Sequence, residues 1–476
     1  MTKKAISVFT AFLFMLTLCS FISSYPSNEK KQESTTERKI VYNKKKHSIT
    51  LTWSAFGSSG NYIITRGGSR LASDFVSIGS TSKLEFTDNK PNADKYENHY
   101  KITRGYEFII ISLENQIFGD NMYFYDRKYE KAETARKEIN SQSESIGLGG
   151  ANGEWTTKRQ AYYFKANVKG QTYDSGGSGS ASGAEANSIE LGFYSHIGGL
   201  GKVPSDVKLG SIFTRPHLSG GANATCTFWR SVENVEVMRD FAWTVSQSTS
   251  ARRLLIDSTS KYISDVGNTN FWGSGGFIAD THYTSSRPNW GGQQQWYTRN
   301  TVFPSGSGAM GGSYNMVWQG CVNPPQADNA NSPIPTTPII REKPFLFIDN
   351  DGEYKVFVPA WQKDRVGVSW SSKDMGKGQV QDLLTKWYVA KEGDTDVEIN
   401  NALKAGKNIF FTPGHYALNA PIQVNRKDAI LLGAGIASVT LEPAEKNIWG
   451  CIYADDKDGI IVAGLLMDSF NSTTYQ

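Results

Sequence analysis

A single strand-and-turn unit occurs twice in this chain. The first copy reads Ile189-Glu190-Leu191, then Ile197-Gly198-Gly199-Leu200-Gly201, then Val207-Lys208-Leu209. The second reads Ile422-Gln423-Val424, then Leu431-Leu432-Gly433-Ala434-Gly435, then Val439-Thr440-Leu441. An aromatic run precedes each copy, Tyr162-Tyr163-Phe164 and Ile409-Phe410-Phe411. Further upstream, an Ile-Asn pair closes a helix-like stretch in each, Ile139-Asn140 and Ile399-Asn400. One such unit cannot bury its own apolar face, so it must stack on a neighbour. Parallel strands ordinarily need a helical crossover. No long amphipathic helix interrupts these strands, and a return by short turns is the other solution. The expected fold is all-β: a right-handed parallel β-helix in two tandem halves.

Strand-like runs between the copies support the same reading. Val232 to Val237, Arg253 to Asp257, Gly276 to Asp280, Gln294 to Thr298 and Asn315 to Trp318 recur at the spacing of a solenoid coil, with Ser, Gly, Asn and Thr turns between. A different style precedes them. Ile49 to Trp53, Tyr62 to Arg66 and Tyr100 to Thr103 alternate apolar and polar residues, as half-buried strands of a small β-sandwich do.

The 476 residues therefore divide into several units. Residues 1–24 read as a signal peptide, with Lys3 and Lys4 before the apolar run Ala5 to Ile22. A membrane anchor, or lipidation at Cys19, is the alternative there. A polar tether, 25–46, and the sandwich, 47–112, follow. The first β-helix covers 113–323, with a low-complexity Ser/Gly stretch at Ser175 to Gly183. A Pro-rich linker, 324–344, leads to a hairpin-rich connector, 345–388, where Asp349-Asn350-Asp351-Gly352 marks a tight turn. The second β-helix begins at 389. An open solenoid end exposes strand edges, so further coils beyond Gln476, or a partner, are expected to cap it.

The formal net charge of +4 offers no concentrated basic face for nucleic acid. The four cysteines form neither a disulfide framework nor a zinc spacing. No cofactor or metal is expected, and no membrane span once the signal is removed.

Asp396-Val-Glu-Ile399-Asn400-Asn-Ala402-Leu403, followed by Ile409-Phe410-Phe411-Thr-Pro413-Gly414-His-Tyr416, is similar to the opening of pectate-lyase-like right-handed β-helices. Two such openings in one chain resemble the tandem β-helices of glycoside hydrolase family 55, which cleave β-1,3-glucans. The first copy departs from the pattern, with Ala166-Asn167 where Pro-Gly stands in the second. Trp53, Tyr62, Arg66 and the Tyr100 to Ile102 run resemble a fibronectin type III module, which implies a spacer. Arg341 to Phe345 and Ser274 to Asp280 look like exported bacterial proteins often labelled coagulation factor 5/8 type. The resemblance implies an extracellular polysaccharide as substrate and a place outside the cell or on its surface.

Asp257 and Asp280 each close an apolar strand. Stacked in adjacent coils, they would lie about 5 Å apart, near the carboxyl separation of retaining glycosidases, and crowding would raise one pKa. Asp240, one coil earlier, is the third candidate for catalysis. Capping of turns is the alternative for Asp257 and Asp280. Trp243, Trp272, Trp290 and Trp296, with Trp229 and Trp318, supply flat rings suited to sugar faces. Because β-helix cores are narrow and filled with Ile, Val and Leu, some of these rings are expected outside. His282, Gln294 and Arg299 complete the expected groove; a turn histidine and a structural Gln ladder are the alternatives. The reading is a polysaccharide hydrolase, with a polysaccharide lyase or a non-catalytic glycan-binding adhesin as alternatives.

Overall fold

The structure is a computed structural model. It describes residues 37–468 except 58–59, 72–74, 106, 144–152, 154–155, 167–170, 177–186, 215–226, 258–260, 263–272, 286, 289, 291–292, 307–313, 445–446 and 448. The signal segment, Cys19, Asn167, Cys226, Trp272 and most of the Ser/Gly stretch lie outside the described residues. Among the described residues no helix is long and apolar enough to cross a membrane.

Two antiparallel sheets open the chain. Arg38–Asn43, Ser48–Trp53 and Glu85–Asp88 form one; Val76–Thr81, Tyr62–Gly67, His99–Arg104 and Glu107–Ser112 form the other. Ile40, Leu51 and Trp53 from the first sheet pack on Tyr62, Ile64, Tyr100 and Ile102 from the second. The strand Arg38–Asn43 falls in the stretch that reads as a tether. Only Ile40 of that strand is buried, so a charged outer face hides its alternation.

The first solenoid is a long parallel sheet. Its rungs run from Met122–Tyr125 through Gln160–Phe164, Ser195–Gly199, Arg230–Val237, Thr249–Ile256, Phe277–Ala279, Tyr297–Arg299 and Met316–Gln319 to Asn331–Ile334. A second parallel sheet, Ile189–Glu190, Ile212–Phe213, Phe241–Ala242 and Lys261–Tyr262, lies on another side of the coil. Left-handed backbone turns the corners. Asn234, Arg253, Asp280, Asn300 and Gly320 have φ between 49° and 60° and follow one another from rung to rung. Tyr194, Trp229 and Ser248 make a second such ladder just before the long strands. The final rung, Asn331–Ile334, lies within the stretch that reads as a Pro-rich linker. Pro333 is tolerated there because it sits in the edge strand of the sheet.

An antiparallel connector follows. Thr337–Ile340 pairs with Gln362–Arg365, and Phe345–Ile348 pairs with Tyr354–Pro359 around the Asp349 to Gly352 turn. The second solenoid has three parallel sheets: Trp387–Ala390, Asn408–Phe411, Ile430–Gly433 and Ile461–Ala463; Gly414–Leu418, Val439–Pro443 and Leu466–Met467; Ile422–Val424 and Ile452–Ala454.

The doubled unit has one physical design. Each copy opens with a helix, Ala132–Ser143 or Asp396–Lys404. Ile139 and Ile399 are fully buried, and the asparagine after each clips the helix to a strand. Asn140 donates to Ser188 O at 3.0 Å and accepts from Glu190 N at 2.9 Å. Asn400 does the same with Pro421 O at 3.1 Å and Gln423 N at 2.7 Å. The first glycine of the shared pattern, Gly199 or Gly433, meets the corner carbonyl of the next coil. A Cβ there would lie 2.0 Å from Asn234 O or 1.8 Å from Gly464 O.

The halves pack on each other where those repeats lie. Tyr163 Oη donates to Ala434 O at 3.1 Å, and Gly435 abuts His196. The N-terminal sandwich packs on the first solenoid, where Glu97 pairs with Lys128, and on the connector, so it is a buttress more than a spacer. Lys95 pairs with Glu353 at 2.8 Å, and the Tyr96 and Tyr354 rings meet edge-on at 5.0 Å. Just after the sandwich, buried Glu114 accepts from Tyr354 Oη at 2.6 Å and pairs with Lys165 at 2.8 Å.

Candidate functional site

The acids singled out from sequence do not meet. Register places Asp280 beside Arg253 and Asp257 beside Thr284, four residues farther along the strand, or about 13 Å. The corner at Asp280 breaks the strand, so the end of one apolar run is not level with the end of the other. Asp257 is exposed and accepts from Ser285 Oγ at 2.9 Å. Asp280 is fully buried; it accepts from Ser369 Oγ at 2.8 Å and faces Arg253 at 3.7 Å. Burial, with Glu342 nearby, pushes its carboxyl up to about 6 against the pull of Arg253. Asp240 is also buried and lies at the start of Phe241–Ala242, on the other sheet.

The expected binding residues are mostly core. Trp243, Trp290, Trp296 and Trp318 are at most 1% exposed. Trp290 meets Trp318 edge-on at 4.8 Å, and Trp296 donates to Gln293 Oε1 at 3.2 Å. The expectation of a core too narrow for indoles is thus corrected. Gln293 satisfies the polar edge of Trp296 and Asn331, at 3.0 Å, that of Trp318, while Trp243 and Trp290 bury theirs with no partner among the described residues. Gln294 is half-buried and its residue bridges to Ser274 in the preceding coil. His282 is half-buried between Leu255 and Val302, and burial lowers its pKa. Arg299 is 8% exposed and grips Glu342 with two bonds, of 2.7 and 3.0 Å. Arg252 holds the same carboxylate at 3.0 Å and Glu233 at 2.9 Å, and Lys343 closes on Glu233 at 2.9 Å. These charges fasten the connector to the first solenoid.

A different group of side chains converges where the two solenoids meet. Tyr194 and Trp229, both at left-handed corners, stack at 4.9 Å with 20° between their planes. Bulky residues seldom take that backbone; here the corner ladder of the solenoid imposes it. Arg159 lies over the Tyr194 ring at 3.5 Å and donates to Thr440 Oγ1 at 2.9 Å. Register continues from Thr440 beside Leu466 to Glu442 beside Asp468, on the same outward face of the second solenoid. Glu442 is half-buried; burial first, then repulsion by Asp468, raises its pKa, while Arg159 opposes. His415, one rung earlier beside Thr440, is pushed down to about 4 by burial, reinforced by Arg159. The junction thus gathers a half-buried indole, Trp229, on a buried tyrosine, a buried cation, Arg159, and two neighbouring carboxyl groups, of which Asp468 is exposed. Among the described residues no cluster of three or more His, Cys, Asp or Glu is arranged to hold a metal ion. Alternation in Val439-Thr440-Leu441-Glu442 marks Thr440 and Glu442 as outward; the partners from the first half carry no such signal, because the docking of one solenoid on the other supplies them.

Residues 387–474 match the LAM55 pectate lyase-like domain. Over 287 residues the chain is 36% identical to an exo-beta-1,3-glucanase of Streptomyces sp. (strain SirexAA-E / ActE), covering 59% of this chain and 45% of that protein. It superposes on the structure of sacteLam55A from Streptomyces sp. SirexAA-E with a TM-score of 0.61 and 30% identity, covering 73% of this chain and 58% of that one. A variant of sacteLam55A in complex with glucose matches equally well. The chain spans about half the length of the curated relative it matches. Residues 387–474 are thus similar to the LAM55 pectate lyase-like domain, and the chain shares its parallel β-helix architecture with sacteLam55A.

Proposed function

We propose that this chain is an exported polysaccharide hydrolase directed at β-1,3-glucan, which it binds at the junction of its two solenoids. The carrying observation is that the sequence likeness to an exo-beta-1,3-glucanase accompanies a junction lined by the Tyr194–Trp229 stack and the Glu442–Asp468 pair. The half-buried ring of Trp229 suits the apolar face of glucose. Arg159 and Asp468 offer charged hydrogen bonds to sugar hydroxyls. Glu442, biased toward its protonated form, is the group in this junction suited to give a proton to a glycosidic oxygen. The charged start and apolar run of residues 3–22 support export.

The test is sugar release from laminarin. Soluble reducing sugar is expected, with Glu442→Gln lowering kcat by roughly a hundredfold or more at unchanged thermal stability. Unsaturated product absorbing in the ultraviolet would replace hydrolysis by a lyase reaction. Tight binding of laminarin without any product would leave a binding protein.

A further inference from the structure

We infer that a second groove, on the connector and away from the solenoid junction, binds an acidic polysaccharide. The groove has a volume of about 560 Å³ and lies along the strand Gln362–Arg365. Trp361 stands in it 59% exposed, with the Lys363 ammonium 5.5 Å from its ring centre. Gln362, Asp364 and Lys377 complete the rim, and Arg365 lies at its side.

These polar groups are not engaged with the rest of the protein. Arg365 Nε is buried and lacks a hydrogen-bond partner among the described residues. The side chains of Gln362, Lys363, Asp364 and Lys377 form no hydrogen bond or ion pair with any described residue. Lys363, Arg365 and Lys377 outnumber Asp364 as charges, so the ligand this lining favours is anionic. The indole adds a flat apolar face, which a sugar ring covers and a bare polyanion does not. Together these features select a chain of uronate residues, with pyranose rings on Trp361 and carboxylates toward the cations.

The support beneath is rigid. Asn300 Nδ2, at a corner of the first solenoid, donates to Arg365 O at 3.2 Å, and Gly367 N donates to Gly320 O at 2.8 Å. The platform is therefore formed before any ligand arrives, which lowers the ordering cost of binding.

The test is calorimetric titration of the full chain with hexagalacturonate, laminarihexaose and inorganic polyphosphate, at about 50 and about 300 mM NaCl. Hexagalacturonate is expected to bind and to weaken with salt. Trp361→Ala is expected to weaken it roughly tenfold, and a Lys363→Gln, Lys377→Gln pair to weaken it and flatten the salt dependence. Neither variant is expected to move the thermal midpoint or the affinity for laminarihexaose. The inference is overturned if hexagalacturonate does not bind, or if Trp361→Ala binds it with unchanged affinity. It is also overturned if polyphosphate binds as tightly as the uronate, or if the loss falls on laminarihexaose instead. None of these outcomes touches the glucan reading of the junction, which laminarin hydrolysis tests separately.

Discussion

A methyl group on Gly435 would stand 2.4 Å from Cγ of His196, across the seam between the two halves. The imidazole cannot retreat easily. Its Nδ1 lies 2.8 Å from Ser231 Oγ, and its ring packs on Tyr163 at 5.4 Å. Gly435→Ala is therefore expected to wedge the seam and to cost about 1–3 kcal/mol, read as a lowered denaturant midpoint. The same change in a His196→Ala background should cost less, because the obstacle is gone. Equal costs in the two backgrounds would mean that the seam relaxes elsewhere.

Glu342 is a buried anion shared by Arg252 and Arg299. Its removal takes the carboxylate from Arg299 and leaves Arg252 with Glu233 alone. Glu342→Gln is expected to destabilise the fold by about 3–5 kcal/mol, far more than a surface ion pair contributes. Equilibrium unfolding in urea measures this, and a change below 1 kcal/mol would show that the arginines find other partners.

Asn140 and Asn400 each satisfy a backbone carbonyl and a backbone N–H on a neighbouring strand. Alanine at either site orphans both groups. Each single change should cost about 1–3 kcal/mol, and the two should add, since they lie in separate halves. Non-additive losses would mean that the two clips are energetically coupled across the seam.

Acid should weaken the protein through its buried imidazoles. Burial holds His196 down at about 3, with Lys343 and Arg252 reinforcing it against Glu233. Burial likewise lowers His99 to about 3. The unfolded chain takes up these protons near pH 6.5, while the folded chain refuses them until about pH 3. The stabilising effect is complete above about pH 6.5 and is lost as pH falls from there toward 3. His196→Gln should flatten the fall of unfolding free energy with pH by close to one proton. An unchanged slope would assign the acid lability to other groups.

The repeat was legible because its parts are local. Ile139-Asn140 and Ile399-Asn400, the aromatic runs and the paired glycines each act within a coil or between neighbouring coils, and sequence spacing records that. The hairpin at Asp349 to Gly352 was legible for the same reason. Asp257 and Asp280 misled because both end apolar runs, and only the left-handed corner at Asp280 reveals that the runs are out of step. The indoles misled because the polar edges of Trp296 and Trp318 are satisfied by Gln293 and Asn331, which composition cannot show. The junction itself is a tertiary fact. Arg159 and Thr440 are 281 residues apart, and no local pattern joins them.

The buttressing of the sandwich has a consequence for the order in which the molecule can be completed. Lys95 and Glu353 are separated by 258 residues. At roughly 5–20 residues per second, ribosomal synthesis takes about 13–50 seconds to cover that distance. The sandwich has its own core and can settle early, but Tyr96 must remain uncovered until the connector emerges. The first solenoid is likewise complete before residues 341–343 arrive to neutralise Arg252 and Arg299. The connector is thus the last piece of the clamp to be made, and the step that joins all three units waits for it.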